Sequence, residues 1–185
     1  MISRITAVLI LIAMALPAHA GDSVVRICRA DYCGTAFFIE REVAITASHI
    51  LPDTQSGTVA IDGRRVRFSV LERDRWRDTV TLRIPEAGAM PIPICKLDWS
   101  KGVRFEGFEA ATGRYIQGHG AGIMVDEFYS KRRRFEFDAP SFHPSIPLPP
   151  GASGSPILQN GKAVGILISR ADDGRGIFTL LEAGR

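Results

Sequence analysis

The segment Gly57-Thr58-Val59-Ala60-Ile61-Asp62-Gly63-Arg64-Arg65-Val66-Arg67-Phe68-Ser69-Val70 sets two runs of alternating character on either side of an Asp-Gly pair. Apolar residues at every second position suit a strand with one buried face, and Asp-Gly suits a two-residue hairpin connection because both positions accept positive φ. The segment therefore predicts a hairpin with strands near 57–61 and 64–73. Working outward, short runs rich in Val, Ile and Phe recur near 24–29, 34–40, 43–46 and 79–84, bounded by Gly, Asp, Asn and Pro. That makes six strands before Pro85. The stretch 85–101 carries Pro85, Pro91 and Pro93. Proline lacks the N–H an internal strand needs, so this stretch reads as a linker. Beyond it lie candidate strands near 102–108, 113–118, 121–128, 133–138, 155–159 and 162–169, with one more at 176–181. Asn160-Gly161 is a second hairpin signal. No long helical periodicity competes, and no internal repeat is evident. The expected fold is all-β, two six-stranded antiparallel β-barrels over 21–84 and 102–185, packed side by side with a cleft between them.

The first twenty residues are of another kind. Arg4 precedes an uncharged apolar stretch, Ile5 to Leu16, and Ala18-His19-Ala20 has the small-x-small form of a cleavage site. This pattern is that of a secretory signal peptide over 1–20, with release near Ala20 and a secreted or periplasmic destination. The apolar stretch is shorter than the roughly 20 residues that span a bilayer, so no stable membrane anchor is expected. Without Arg4, 22 basic side chains face 20 acidic ones. So small an excess gives no reason to expect nucleic acid or an anionic membrane as partner. A monomer is expected.

Cys28, Cys33 and Cys95 are the three cysteines. In an exported protein an odd count implies one bridge and one thiol. Four residues, including the turn former Asp31, separate Cys28 from Cys33, which favours a bridge stapling a tight hairpin, although spacing by itself leaves the connectivity open. Cys95 would then be a buried, inert thiol. Neither Cys-x-x-Cys nor His-x-x-x-His occurs, and no metal or other cofactor is expected.

Three segments hold residue types that suit one chemistry. Thr46-Ala47-Ser48-His49 ends an apolar strand with a histidine, the usual general base near neutral pH. Asp78 opens the run Thr79 to Ile84, where its carboxylate would orient that histidine. Asp74 is the competitor, set aside because Arg73 and Arg75 flank it. Gly151-Ala152-Ser153-Gly154-Ser155-Pro156 puts glycines on both sides of Ser153. A free serine hydroxyl is a weak nucleophile and needs such a base and such an orienting acid. The N–H groups of Gly151 and Ser153 would bind an oxyanion. Ser155 is the rival nucleophile, disfavoured by Pro156 and the strand after it. A lipase-type elbow is excluded because Ser155 stands where Gly-x-Ser-x-Gly needs its last glycine.

These segments resemble the chymotrypsin-fold, trypsin-like serine endopeptidases, especially their bacterial secreted and periplasmic branch. Gly34-Thr35-Ala36-Phe37-Phe38-Ile39 is similar to the family's Gly-Thr/Ser-Gly-Phe strand, and Ile45-Thr46-Ala47-Ser48-His49 to its Leu-Thr-Ala-Ala-His. Asp78-Thr79-Val80-Thr81-Leu82 resembles Asp-Leu-Ala-Leu-Leu, and Gly151 to Pro156 resembles Gly-Asp-Ser-Gly-Gly-Pro. The resemblance implies a His49/Asp78/Ser153 triad, an acyl-enzyme intermediate and a protein or peptide substrate. Departures are Ser48 for alanine, Ala36 for glycine, and Ala152 for the aspartate that pairs with a freed N-terminus in many animal members. The resemblance also places a substrate pocket around Pro147, Ile168, Ser169 and Arg170. Arg170 would favour an acidic side chain or obstruct the pocket, against a small apolar preference. His143 is a further pocket candidate, and Lys131 to Arg134 an exposed hairpin turn. The alternative is a catalytically silent, protease-like binding protein.

Overall fold

The computed structural model describes residues 23–182 except 31, 52, 86, 88 and 131–134. The leader reading of 1–20 and the basic turn at 131–134 lie outside the described residues. Twelve strands form two closed antiparallel barrels. The first contains β1 (Val24–Arg29), β2 (Tyr32–Glu40), β3 (Val43–Ala47), β4 (Ser56–Ile61), β5 (Arg64–Asp74) and β6 (Thr79–Arg83). The second contains β7 (Val103–Phe108), β8 (Tyr115–Ser130), β9 (Phe135–Pro144), β10 (Pro156–Gln159), β11 (Lys162–Arg170) and β12 (Gly176–Leu180). Neighbours run 1-2-3-6-5-4 in one and 7-8-9-12-11-10 in the other, so the same connectivity occurs twice. Among the described residues no helix is long and apolar enough to cross a membrane.

Both hairpin signals correspond to turns with the expected chemistry. Asp62 and Gly63 have φ of 47° and 82°, and Asn160 and Gly161 have 50° and 74°. Consecutive positive φ values give the primed turn whose twist matches the strands it joins. Cys28 faces Cys33 across β1 and β2, and the two are bridged. Cys95 is free and half-buried rather than fully buried, its N–H bonded to the Ala163 carbonyl.

The second half departs from expectation at one place. The runs near 113–118 and 121–128 are one strand, β8, and its partner β9 runs on to Pro144. A bulge between Ala121 and Met124 shifts the register instead of ending the strand. An extra residue bends a strand while its ladder continues on both sides, so the Gly-rich stretch reads as a break when it is a bend. His119 and His143 are exposed strand residues of β8 and β9.

Alternation explains why β2 reads as an unbroken apolar run. Ala36 and Phe38 point into the first barrel's core with Ile27, Val59, Phe68 and Leu82. Phe37 and Ile39 point the other way, into a cluster with Ile45, Ile92, Leu158, Ile166, Ile168 and Ile177 that both barrels share. The segment between the barrels is part of this contact. Ile92 donates its N–H to the Phe38 carbonyl of one barrel, and Ile94 forms a bridge with Ala163 of the other.

Candidate active site

β3 is buried along its whole length and runs into a single 3-10 turn, Ser48–Ile50. Ala47 pairs with Thr79, the first residue of β6, so His49 and Asp78 lie just beyond the same end of one ladder. Ser48 N–H donates to the Asp78 carbonyl (2.7 Å) and His49 N–H to Asp78 Oδ1 (3.1 Å). His49 Nδ1 lies 2.7 Å from Asp78 Oδ2. An ionised carboxylate only accepts, so Nδ1 carries a proton, and in the neutral imidazole the lone pair is then on Nε2. The two side chains are 25% and 12% exposed, which leaves the imidazole reachable and the carboxylate sheltered. Asp78 has φ of 57°, an uncommon conformation that aspartate tolerates better than most residues.

Asp74, set aside as the orienting acid, and its neighbour Arg73 hold this corner. Asp74 Oδ1 accepts the N–H groups of Trp76 (2.8 Å) and Arg77 (2.9 Å), closing the turn that leads to Asp78. Arg73 reaches from β5 to the histidine turn. Its Nη1 donates to Ser48 Oγ at 2.7 Å and to the Leu51 carbonyl at 2.8 Å. Burial lowers its pKa from the ordinary arginine value, with Asp53 opposing the shift. The serine that departs from the family's alanine is thus a hydrogen-bond acceptor of Arg73.

The segment before β10 is held through its acceptors. Six consecutive carbonyls each receive a donor. Leu148 O takes Arg170 Nη1 (2.9 Å), Pro149 O takes Ala152 N–H (3.2 Å), and Pro150 O takes Ala110 N–H (2.7 Å). Gly151 O takes Thr35 Oγ1 (3.0 Å), Ala152 O takes Ser155 N–H (3.0 Å), and Ser153 O takes Thr35 N–H (2.9 Å). The N–H groups of Gly151 and Ser153 donate to no protein acceptor among the described residues. Because the peptide is planar and trans, tying Pro150 O to Ala110 turns the Gly151 N–H to the opposite side. Gly151 has φ of 96°, and a Cβ there would lie 2.3 Å from Ala110 N.

Backbone contacts bring this segment to the histidine corner. A Cβ on Gly154 (φ 88°) would lie 1.8 Å from the Thr35 carbonyl and 2.7 Å from Thr46 Oγ1, so only glycine lets the loop lie against β2 and β3. Gly34 separates Ile50, the neighbour of His49, from the Ser153 carbonyl, and a Cβ there would approach them to 2.2 Å and 3.1 Å. Ser153 is half-buried, whereas Ser155 is fully buried. Of the expected pocket residues, Pro147, Ser169 and Arg170 are exposed at the loop and at the end of β11. Ile168 belongs instead to the cluster between the barrels. Arg170 meets no carboxylate among the described residues, and its one bond fastens β11 to Leu148.

The model of the trypsin-like peptidase domain matches residues 34–166 of this chain. No curated protein matches it. Among solved structures, the chain is similar to the Rv3671c protease of M. tuberculosis in its inactive form, with a TM-score of 0.70 at 18% identity over 86% of this chain and 83% of that one. It is also similar to the MamO protease domain of Magnetospirillum magneticum (TM-score 0.68, 15% identity, 86% and 92% covered). A human pathogenic astrovirus serine protease matches with a TM-score of 0.66 at 14% identity, covering 87% and 90%. At these identities the structures speak for the fold.

Proposed function

This chain is a serine endopeptidase of the trypsin-like peptidase family, and on that premise we propose that His49, Asp78 and Ser153 form its catalytic triad and that it works after export. His49 Nε2 takes the proton from Ser153 Oγ as the hydroxyl attacks the substrate carbonyl, and Asp78 stabilises the imidazolium. The tetrahedral oxyanion is received by the N–H groups of Gly151 and Ser153. Collapse expels the amine, which takes the proton from His49, and leaves an acyl-enzyme. Water, deprotonated by the same imidazole, then releases the acid and restores the hydroxyl.

The observation that carries this reading is the imbalance in the loop. All carbonyls from Leu148 to Ser153 are engaged while two N–H groups beside the serine are left to face a ligand. A loop with no catalytic task has no reason to leave donors rather than acceptors unspent. Each such donor is typically worth about 3 kcal/mol in the transition state. The disulfide is in keeping with an oxidising compartment. The exposed guanidinium of Arg170, bonded to the Leu148 carbonyl and facing no carboxylate among the described residues, supports an acidic residue before the cleaved bond.

The test is reaction of the purified protein with a fluorescent fluorophosphonate. Labelling is expected in the native protein and absent in Ser153→Ala, while Asp78→Asn is expected to slow turnover of a peptide by on the order of 10^4. No labelling of the native protein would move the chain to the silent, binding reading. In a peptide panel varied before the cut, cleavage after Lys or Arg would remove the acidic preference.

A further inference from the structure

Thr35 lies in β2, in the barrel opposite the serine loop, and is fully buried. Its polar atoms all engage parts of the site. The Thr35 N–H holds the Ser153 carbonyl, and its carbonyl accepts Thr46 Oγ1 at 2.6 Å. Its hydroxyl lies 3.0 Å from both the Phe108 N–H and the Gly151 carbonyl. An amide N–H can only donate, so Oγ1 accepts from Phe108 and its single proton goes to Gly151.

We propose that the Thr35 hydroxyl is a positioning residue for the oxyanion-binding pair, supplied by one barrel to a loop of the other. The proposal rests on the catalytic reading above. Its basis is the order of peptide units. The Gly151 N–H belongs to the peptide that follows Pro150, the Ser153 N–H belongs to the peptide that follows Ala152, and the Gly151–Ala152 peptide lies between them. Rotation of that middle unit changes the angle between the two donors. Its carbonyl is the one Thr35 grips, and Gly151 offers no side chain to resist the rotation. The flanking carbonyls, Pro150 O and Ala152 O, are held separately by the N–H groups of Ala110 and Ser155. The middle unit is held by the Thr35 hydroxyl at its carbonyl (3.0 Å) and by a longer bond from its Ala152 N–H to the Pro149 carbonyl (3.2 Å), so the hydroxyl is the shorter of its two restraints. The stretch Gly34 to Ile39 carries threonine at this position, with Ala36 beside it as the departure from the family's pattern, and the Thr35 hydroxyl reaches across the barrels to Gly151.

The test compares native protein, Thr35→Val and Thr35→Ser. Valine keeps the branched shape and removes both bonds, while serine keeps the hydroxyl and loses the methyl. Thr35→Val is expected to lower kcat for a peptide by about 100-fold, the scale of losing one oxyanion donor, with KM within a few-fold. It should weaken a peptide aldehyde, whose adduct needs the oxyanion site, in the same proportion. Thr35→Ser should stay within a few-fold of native on both measures. If Thr35→Val does not fold, Thr35→Cys takes its place, with a loss of about 10-fold expected from the weaker thiol donor. A folded Thr35→Val with native kcat, or a loss shared equally by Thr35→Ser, overturns the positioning role and leaves the triad standing. A native protein that neither labels nor cleaves overturns the catalytic reading itself.

Discussion

At Ser155 the chain carries a buried hydroxyl with no hydrogen-bond partner among the described residues, two positions from the proposed nucleophile. It presses on Gly107, where a Cβ would lie 2.0 Å from Ser155 Oγ. Burying a hydroxyl without a partner costs about 1–3 kcal/mol, and replacing it by an apolar group of similar shape removes that cost. Ser155→Ala is therefore expected to leave thermal unfolding unchanged or to stabilise by up to about 1 kcal/mol, with full fluorophosphonate labelling. A clear drop in melting temperature, or lost labelling, would mean the hydroxyl has a partner or a role in the reaction. The contrast with Ser153 shows how far residue type alone carries the argument. Both serines stand in the same Gly-rich segment, and burial separates them: Ser153 is half-exposed beside the histidine corner, and Ser155 is enclosed.

Among the elements, β5 carries arginines with opposite fates. Arg65 and Arg67 point into solvent, whereas Arg73 turns inward to grip the histidine turn. The register shift between Val70 and Glu72 separates them. Past that irregularity the alternation counted from Arg65 no longer tells which face a side chain takes, because an extra residue moves all later positions to the other face. Arg73→Met keeps most of the length and removes every donor. It is expected to cost about 1–2 kcal/mol by denaturant titration, the usual worth of hydrogen bonds from a charged group. It should also lower kcat by roughly 10-fold as the His49 turn loosens, since small misplacements of a catalytic group are costly. Arg67→Met serves as the exposed control and should change neither. A fully active Arg73→Met would reduce the arginine to a stabilising contact.

For the whole molecule, the cluster between the barrels couples them. Val24, Phe37 and Ile45 come from the first barrel, Ile92 from the connecting stretch, and Leu158, Ile166, Ile168 and Ile177 from the second. Neither barrel can unfold without exposing this surface of the other. The inter-barrel hydrogen bonds that Thr35 accepts from the Phe108 N–H and donates to the Gly151 and Ser153 carbonyls add to the coupling. Phe37→Ala, at a fully buried position, is expected to cost about 3–4 kcal/mol. It should shift a single calorimetric transition whose van't Hoff and calorimetric enthalpies agree. Two resolved transitions, one of them unmoved by the substitution, would show that the barrels fold independently.

What the sequence by itself determined was local. The strands of the first barrel, the Asp62-Gly63 and Asn160-Gly161 turns and the Cys28–Cys33 staple were readable because alternation, turn chemistry and short loops involve neighbours a few positions apart. The segments holding His49, Asp78 and Ser153 stood out for the same reason. Tertiary structure alone decided the rest. It joined two short runs into β8, because a bulge and a turn look alike in a Gly-rich stretch. It buried Ile168 between the barrels, turned Arg73 onto the histidine turn, fastened Arg170 to a carbonyl, and brought Thr35 to Gly151, 116 positions away. These outcomes depend on barrel closure and on strand register, where a slip of one residue reverses which face a side chain occupies. No pattern within a single strand encodes what that face will meet.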